Sequence, residues 1–179
     1  TLYDYGVTEL YSLIAVTAAQ RLGLAPRLAH LDTTSFHVDG RYDQNEDPDD
    51  GVIQLTRGYS RDHRPDLNQV MLELIVEHQA GIPLLMKPLS GNSNDTQEFG
   101  EVIKRHIDQL QTTYGATYLV ADCALYSEAN LDKLSQTQMK WITRVPATLS
   151  EAQEALGQAN PQAMKPLCDG YRVHPLTST

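Results

Sequence analysis

Two aspartates stand apart from the other acids of this sequence. Asp32 lies inside an apolar run, as L-D-T-T-S, and Asp122 closes another, as L-V-A-D-C. Carboxylates avoid such places unless they are paired or bind metal. If both sit on adjacent central strands, they meet at one edge of a sheet, where ligand sites of α/β proteins form. Carboxylates converging there offer hard oxygen donors suited to Mg²⁺ or Mn²⁺. Two such ions can clamp the attacking and leaving oxygens of a phosphodiester during an in-line displacement. The alternative for either residue alone is structural: a strand-end Asp that caps or bonds the next loop.

The elements around these residues decide whether they can meet. Leu10, Leu13, Ile14, Thr17, Ala18 and Leu22 fall at helical spacing, which predicts a helix over 7–24 that ends at Gly23 and Pro26. Residues 28–38 are rich in Thr, Phe and Val without internal Gly or Pro, and read as a strand. Residues 39–66 form a polar loop, with a possible short strand at 52–56. The dense apolar runs 68–79 and 82–89, broken at Gly81, read as a hairpin. A helical period also fits 68–79, but Gly81 and Pro83 leave the following run no role except a pairing partner. A clean stripe of Phe99, Val102, Ile103, His106, Ile107 and Leu110 predicts a helix over 96–113, capped by Asp95 or Thr96 and ended by Gly115. A buried strand at 117–122, a helix over 128–136 capped by Ser127, a strand at 140–145 and a helix over 149–158 follow, then a Pro-punctuated tail. The expected architecture is α/β, with a mixed sheet of three antiparallel strands followed by alternating helix and strand. Right-handed crossovers make the last two strands parallel, and the first strand lies beside 117–122 at the centre.

Composition sets bounds. The chain has 179 residues, 14 Lys plus Arg and 23 Asp plus Glu, a net charge of −9 and a pI near 5.0. Taken alone, that excess argues against a nucleic-acid binder, since phosphate contacts need Lys and Arg. Five of the acids, however, cluster in the loop as Asp43, Glu46, Asp47, Asp49 and Asp50. No apolar run reaches membrane-spanning length, and no basic-then-apolar signal pattern opens the chain. Cys123 and Cys168 make neither a disulfide framework nor a zinc knuckle. The sequence begins without Met and closes on H-P-L-T-S-T, the expectation being a piece of a longer chain.

The segment from Arg57 to Arg64, R-G-Y-S-R-D-H-R, packs three arginines, a histidine and a tyrosine into eight residues. It can hold phosphates, with Tyr59 or His63 stacked on a splayed base. It can equally be a surface loop whose arginines pair with Asp62, Asp66 or the 43–50 acids. Asn92 and Asn94, in S-G-N-S-N-D, either orient nearby carboxylates or make the turn, and the turn is preferred. His30 shares a strand face with Asp32 and His37 does not, too few ligands for zinc.

The runs L-A-H-L-D-T-T-S-F-H-V-D-G-R-Y, G-Y-S-R-D-H-R-P-D-L-N-Q-V, P-L-L-M-K-P-L-S-G-N-S-N-D, Y-L-V-A-D-C-A-L-Y-S-E-A-N-L and K-W-I-T-R-V-P, in this order, resemble the DDE transposases of bacterial insertion sequences, most closely the insertion-sequence-four superfamily. The resemblance spans roughly 7–150. It implies an RNase H-like fold, divided here into an N-terminal linking helix at 1–26 and a catalytic domain at 27–179 that is incomplete at its C-terminus. It implies that Asp32 and Asp122 are the first two catalytic acids and ligate divalent metal, Mg²⁺ or Mn²⁺, in a two-metal site. It implies DNA contacts by Arg57, Tyr59, Arg61, His63 and Arg64, with transposon-end and target DNA as partners. A homodimeric active complex and a bacterial, cytoplasmic, nucleoid-associated setting belong to the same expectation. The family's third acid is a Glu within a Tyr–Arg–Glu–Lys motif that this sequence lacks, and Glu151 and Glu154 lie instead in S-E-A-Q-E-A-L, a solvated amphipathic helix. The expected activity is metal-dependent DNA strand cleavage and strand transfer, this piece alone being inactive. Two alternatives stand: a catalytically incomplete DNA- or partner-binding fragment, and a haloacid-dehalogenase-type phosphatase with Asp32 as nucleophile. The latter pattern wants a second Asp where Thr34 stands, and parallel strands around the motif.

Overall fold

The computed structural model describes residues 2–40, 42, 52–59 and 63–176. The chain forms two compact units, Thr1–Thr143 and Arg144–Thr179.

The first unit is built on a five-stranded sheet. Helices α1 (Leu2–Tyr5) and α2 (Val7–Arg21) precede strand β1 (Leu28–Val38). Strands β2 (Asn68–Glu77) and β3 (Pro83–Ser90) form the hairpin expected around Gly81, whose φ of 71° suits a residue without a Cβ. Helix α3 (Asp95–Tyr114), strand β4 (Tyr118–Ala121), a 3₁₀ turn (Cys123–Leu125), helix α4 (Glu128–Ser135) and strand β5 (Lys140–Thr143) complete it. The strand order is β3-β2-β1-β4-β5. β2 runs antiparallel to both β1 and β3, whereas β4 runs parallel to β1 and β5 parallel to β4. This is the mixed sheet that the resemblance implies for an RNase H-like fold.

One face of the sheet carries the core. Ala29 and Leu31 of β1, Ile75 of β2, Leu85 of β3 and Leu119 of β4 are buried with Phe99, Val102, Ile103 and Ile107 of α3 and with Ala19 of α2. α3 forms because its apolar residues recur at helical spacing and both its ends are satisfied. Its N-cap is Asn94, not Asp95 or Thr96: the Asn94 side-chain oxygen accepts from the amides of Thr96 and Gln97 at 3.0 and 3.3 Å. Asp95 and Glu98 are thereby left in the first turn, where acids oppose the helix dipole. Gly115 closes the helix in the left-handed conformation, as its place in the sequence predicts.

Three other expectations change. Residues 52–56 make no strand; Thr56 alone bridges to Gln69. The 140–145 strand stops at Thr143. The tail is not merely punctuated: in the second unit, helix α5 (Ser150–Gln158) precedes a small antiparallel hairpin, β6 (Lys165–Cys168) and β7 (Tyr171–Val173), turning at Gly170 with φ 77°. Arg61 and the acidic cluster Asp43, Glu46, Asp47, Asp49 and Asp50 lie outside the described residues.

Candidate active site

β1 and β4 are joined in register from Leu28↔Tyr118 to Leu31↔Ala121. The next position on each strand is an aspartate, Asp32 on β1 and Asp122 just past β4. Neighbouring strands lie about 4.8 Å apart, so the two residues start from adjacent backbone positions. Alternation along β1 puts Asp32 with His30, Thr34 and Phe36 on the face opposite the helices, and all four are exposed. His37 falls on the other side, as its spacing predicts. Asp32 is therefore not a buried acid within an apolar strand, because its strand has one covered face and one open one.

Asp122 is also exposed, and it carries a structural task. Its carboxylate accepts the Ala124 amide at 2.9 Å and so caps the 3₁₀ turn, and its backbone oxygen accepts the Thr143 hydroxyl at 2.5 Å. Asp32 likewise accepts the Thr33 amide, at 2.8 Å. Among the described residues no set of three or more His, Cys, Asp or Glu is grouped to hold a metal ion. What the fold supplies is two carboxylates, Asp32 within β1 and Asp122 just past β4, each following the last paired position of the two parallel strands.

A cleft of about 660 Å³ opens at Asp122. Asp122 lines it, Asp32 does not, and the remaining wall includes Tyr59, Met71, Asn94, Asp95 and Thr96. Asn94 belongs to the turn, as preferred from sequence, since its oxygen is committed to the helix cap.

The arginine-rich segment divides. Tyr59 is 87% exposed at the cleft, and Arg57 and His63 are exposed. His63 is the one non-glycine with positive φ, 57°, among the described residues. Arg64 forms a bidentate pair with Asp66, at 2.9 and 2.8 Å, the internal pairing that the surface-loop alternative foresees. Hydrogen bonding to Arg64 pulls the Asp66 carboxyl down to about 2. Glu151 and Glu154 are exposed on α5, the solvated helix predicted for them.

Sequence reasoning missed three polar residues of β2. Gln69, Glu73 and Glu77 are all buried on the helix-facing side. Both carboxylate oxygens of Glu73 lack a hydrogen-bond partner. Lys87 is 4.0 Å from Glu73 but 2.7 Å from Glu98. Burial pushes the Glu73 carboxyl up to about 7; Lys87 opposes the shift, and Glu98 and Asp95 add to it. Glu77 is the converse case. Burial alone would raise its carboxyl, but the amides of Ile82, Gln79 and Ala80 donate to it and hold it below its ordinary range. The signal was present as Q-x-x-x-E-x-x-x-E, which places all three on one face of a strand.

A family model for the transposase DDE domain matches residues 25–174. The chain belongs to that family. Among curated proteins, none matches it. Solved structures similar to it include a Mos1 transposase paired-end complex with left transposon end, at 11% identity over 76% of this chain and 41% of that one, TM-score 0.44. A second is the Mos1 transposase catalytic domain with raltegravir and Mn, at 10% identity over 83% and 69%, TM-score 0.41. A third is a simian T-cell lymphotropic virus intasome in complex with the PP2A regulatory subunit B56 gamma, at 14% identity over 75% and 38%, TM-score 0.41. The chain spans about two fifths of the length of the paired-end-complex transposase. No helix among the described residues is long and apolar enough to cross a membrane.

Proposed function

We propose that this chain is the part of a transposase catalytic domain that presents the first two metal-binding acids to DNA, and that the protein it serves cleaves and rejoins DNA strands. The observation that carries the reading is the register: Asp32 and Asp122 follow directly on the Leu31↔Ala121 pair of two parallel strands, in a chain of the transposase DDE family. Asp32 and Asp122 would hold Mg²⁺ or Mn²⁺, and their donor chemistry fits, being exposed hard oxygens that each follow the last β1–β4 pair. The chemistry such ions supply is activation of a water or a 3′-hydroxyl and neutralisation of phosphate charge.

The chain's own residues do the positioning. The Asp122 cap and the Thr143 hydroxyl fix the backbone at the second acid. Arg57, Tyr59, Arg61, His63 and Arg64 supply phosphate and base contacts, Tyr59 from the wall of the cleft. Little covalent chemistry falls to the protein, so orientation and charge placement carry the rate. The active complex is a homodimer on transposon-end DNA.

The test is metal binding and cleavage together. Titrating Mn²⁺ while following water-proton relaxation should show binding by the chain that Asp32→Asn and Asp122→Asn each weaken at least tenfold. In the transposase that carries this chain, either change should abolish strand cleavage and leave DNA binding intact. Unchanged Mn²⁺ affinity in both variants, or normal cleavage by either, would refute the assignment.

A further inference from the structure

The segment that carries Tyr59 is strapped to the sheet by backbone bonds, and one buried side chain, Gln69, closes the junction. β3 pairs with β2 as far as Val70↔Ser90 and then departs through Gly91. At the next position of β2 the strap takes over: Thr56 and Gln69 exchange backbone bonds at 3.2 and 2.9 Å. Gln54 and the β3 end exchange two more, Gly91 N–H to the Gln54 oxygen and Gln54 N–H to the Ser90 hydroxyl, both at 3.1 Å. The Gln69 side chain, 1% exposed, closes the junction. Its amide nitrogen donates to the Gly91 oxygen at 2.6 Å and to the Tyr59 oxygen at 3.2 Å. Both partners are carbonyls, which only accept, so the amide orientation is fixed by chemistry. Its own oxygen accepts no hydrogen bond. A buried acceptor left unmet is unfavourable, so the residue is suited to this place by its two donors.

The glycines show how closely the strap lies. A Cβ on Gly58 would overlap the Gly91 oxygen and meet the Gln69 amide nitrogen at 2.6 Å. A Cβ on Gly91 would overlap the backbone oxygens of Gln69 and Thr56. Three backbones pass here with no room for a side chain. The residue immediately after Gly58 is Tyr59, the exposed aromatic of the Asp122 cleft.

We propose that Gln69 is a positioning residue that fixes the 54–59 strap so that Tyr59 forms a stacking wall for one unpaired base of a DNA strand entering the Asp122 cleft. This rests on the DNA-acting reading above and narrows it from the whole basic segment to Tyr59. A tyrosine ring stacks on any base, so the site is selective for single-stranded over paired nucleotides rather than for sequence.

Two measurements on the chain test it. The first is hydrogen exchange of the 54–59 amides, followed by mass spectrometry. The second is quenching of a duplex with 2-aminopurine in a three-nucleotide overhang. Gln69→Leu should speed exchange at 54–59 at least tenfold with α3 protection unchanged. Gln69→Asn, which keeps the amide but shortens its reach by one methylene, should do the same where the leucine variant fails to fold. Overhang affinity should fall about tenfold in Gln69→Leu and Tyr59→Ala alike, the loss one stacked base carries. The double variant should be no weaker, and Tyr59→Phe should match the wild type. Unchanged exchange in both Gln69 variants overturns the clamp. Faster exchange with wild-type overhang affinity, while Tyr59→Ala is weakened, overturns the positioning role. Equal affinity of wild type and Tyr59→Ala overturns the stacking wall. If the chain binds no DNA at all, the DNA-acting reading fails, and the exchange data still decide whether Gln69 holds the strap.

Discussion

Glu73 is the residue whose replacement tests most directly how the sheet is held together. It faces Thr33 across β1 and Lys87 across β3, beneath the first turn of α3 with Asp95 and Glu98. One ammonium, Lys87, serves two carboxyls, Glu73 and Glu98, and lies closest to Glu98. Glu73, fully buried and without hydrogen bonds, therefore holds its proton to higher pH, its carboxyl rising from 4.5 to about 7. The folded pKa lies above the unfolded one, so the folded state binds more protons between those values. Stability is fully present below about pH 4.5 and is lost as pH rises towards 7. A shift of this size, at 1.36 kcal/mol per unit, amounts to about 3 kcal/mol.

The perturbation is Glu73→Gln, which keeps the shape and cannot ionise. Urea unfolding of wild type and variant at constant ionic strength, from pH 4.5 to 8, cancels in the difference every titrating group not coupled to Glu73. The wild type should lose about 3 kcal/mol relative to the variant across that range, roughly 6–12 °C in melting temperature for a chain of this size. Lys87→Met, which removes the opposing cation, should move the loss to higher pH. A difference that stays flat, or one in which the wild type gains with pH, would refute the assignment of a neutral buried carboxyl.

Other outcomes follow from particular contacts. Asn94→Ala removes the α3 cap and should destabilise by about 1 kcal/mol, read as a modest drop in urea midpoint with unchanged slope. Asp66→Asn removes the negative charge that Arg64 pairs with in the bidentate contact. Its melting temperature should stay near that of the wild type, while DNA binding tightens and the salt dependence of log K steepens by about one ion. A wild-type salt slope in that variant would show that Arg64 does not reach phosphate.

The sheet was legible because its signals are local. Gly81 and Pro83 force a hairpin on two apolar runs, and the α3 stripe with Gly115 leaves one reading of its helix. The position of the Asp pair was legible for a related reason: once β1 and β4 are neighbours, counting along the strands brings Asp32 and Asp122 together. What was not legible is which face of β2 is covered. Val70, Leu72, Leu74 and Val76 form an unbroken apolar face, yet they are half-buried, while Gln69, Glu73 and Glu77 lie fully inside. Hydrophobicity alone would turn the strand over. The choice is made by the partners of those polar groups: the turn amides satisfy Glu77, Gly91 and Tyr59 engage Gln69, and Lys87 stands by Glu73. The Gln69 contacts depend on where distant backbone falls, and those of Glu77 and Glu73 on the turn and the pairing of the hairpin, none of which period and propensity encode.

The same consideration decides how the second acid must be tested. β1 keeps its pairing with β2 as far as Val38 but parts from β4 after Leu31↔Ala121. At that point Asp122 leaves the strand and turns the chain into the 3₁₀ segment by capping Ala124. One carboxylate thus ends the strand and stands at the proposed metal position. An alanine there would remove cap and charge together, so lost cleavage would say little about metal. Asparagine caps as well as aspartate, keeping the turn while removing the charge. Asp122→Asn should accordingly retain wild-type exchange at the Ala124 amide and lose Mn²⁺ affinity, whereas Asp122→Ala loses both. If Asp122→Asn keeps both the protected amide and the affinity for Mn²⁺, the acid is a cap alone and the metal assignment falls.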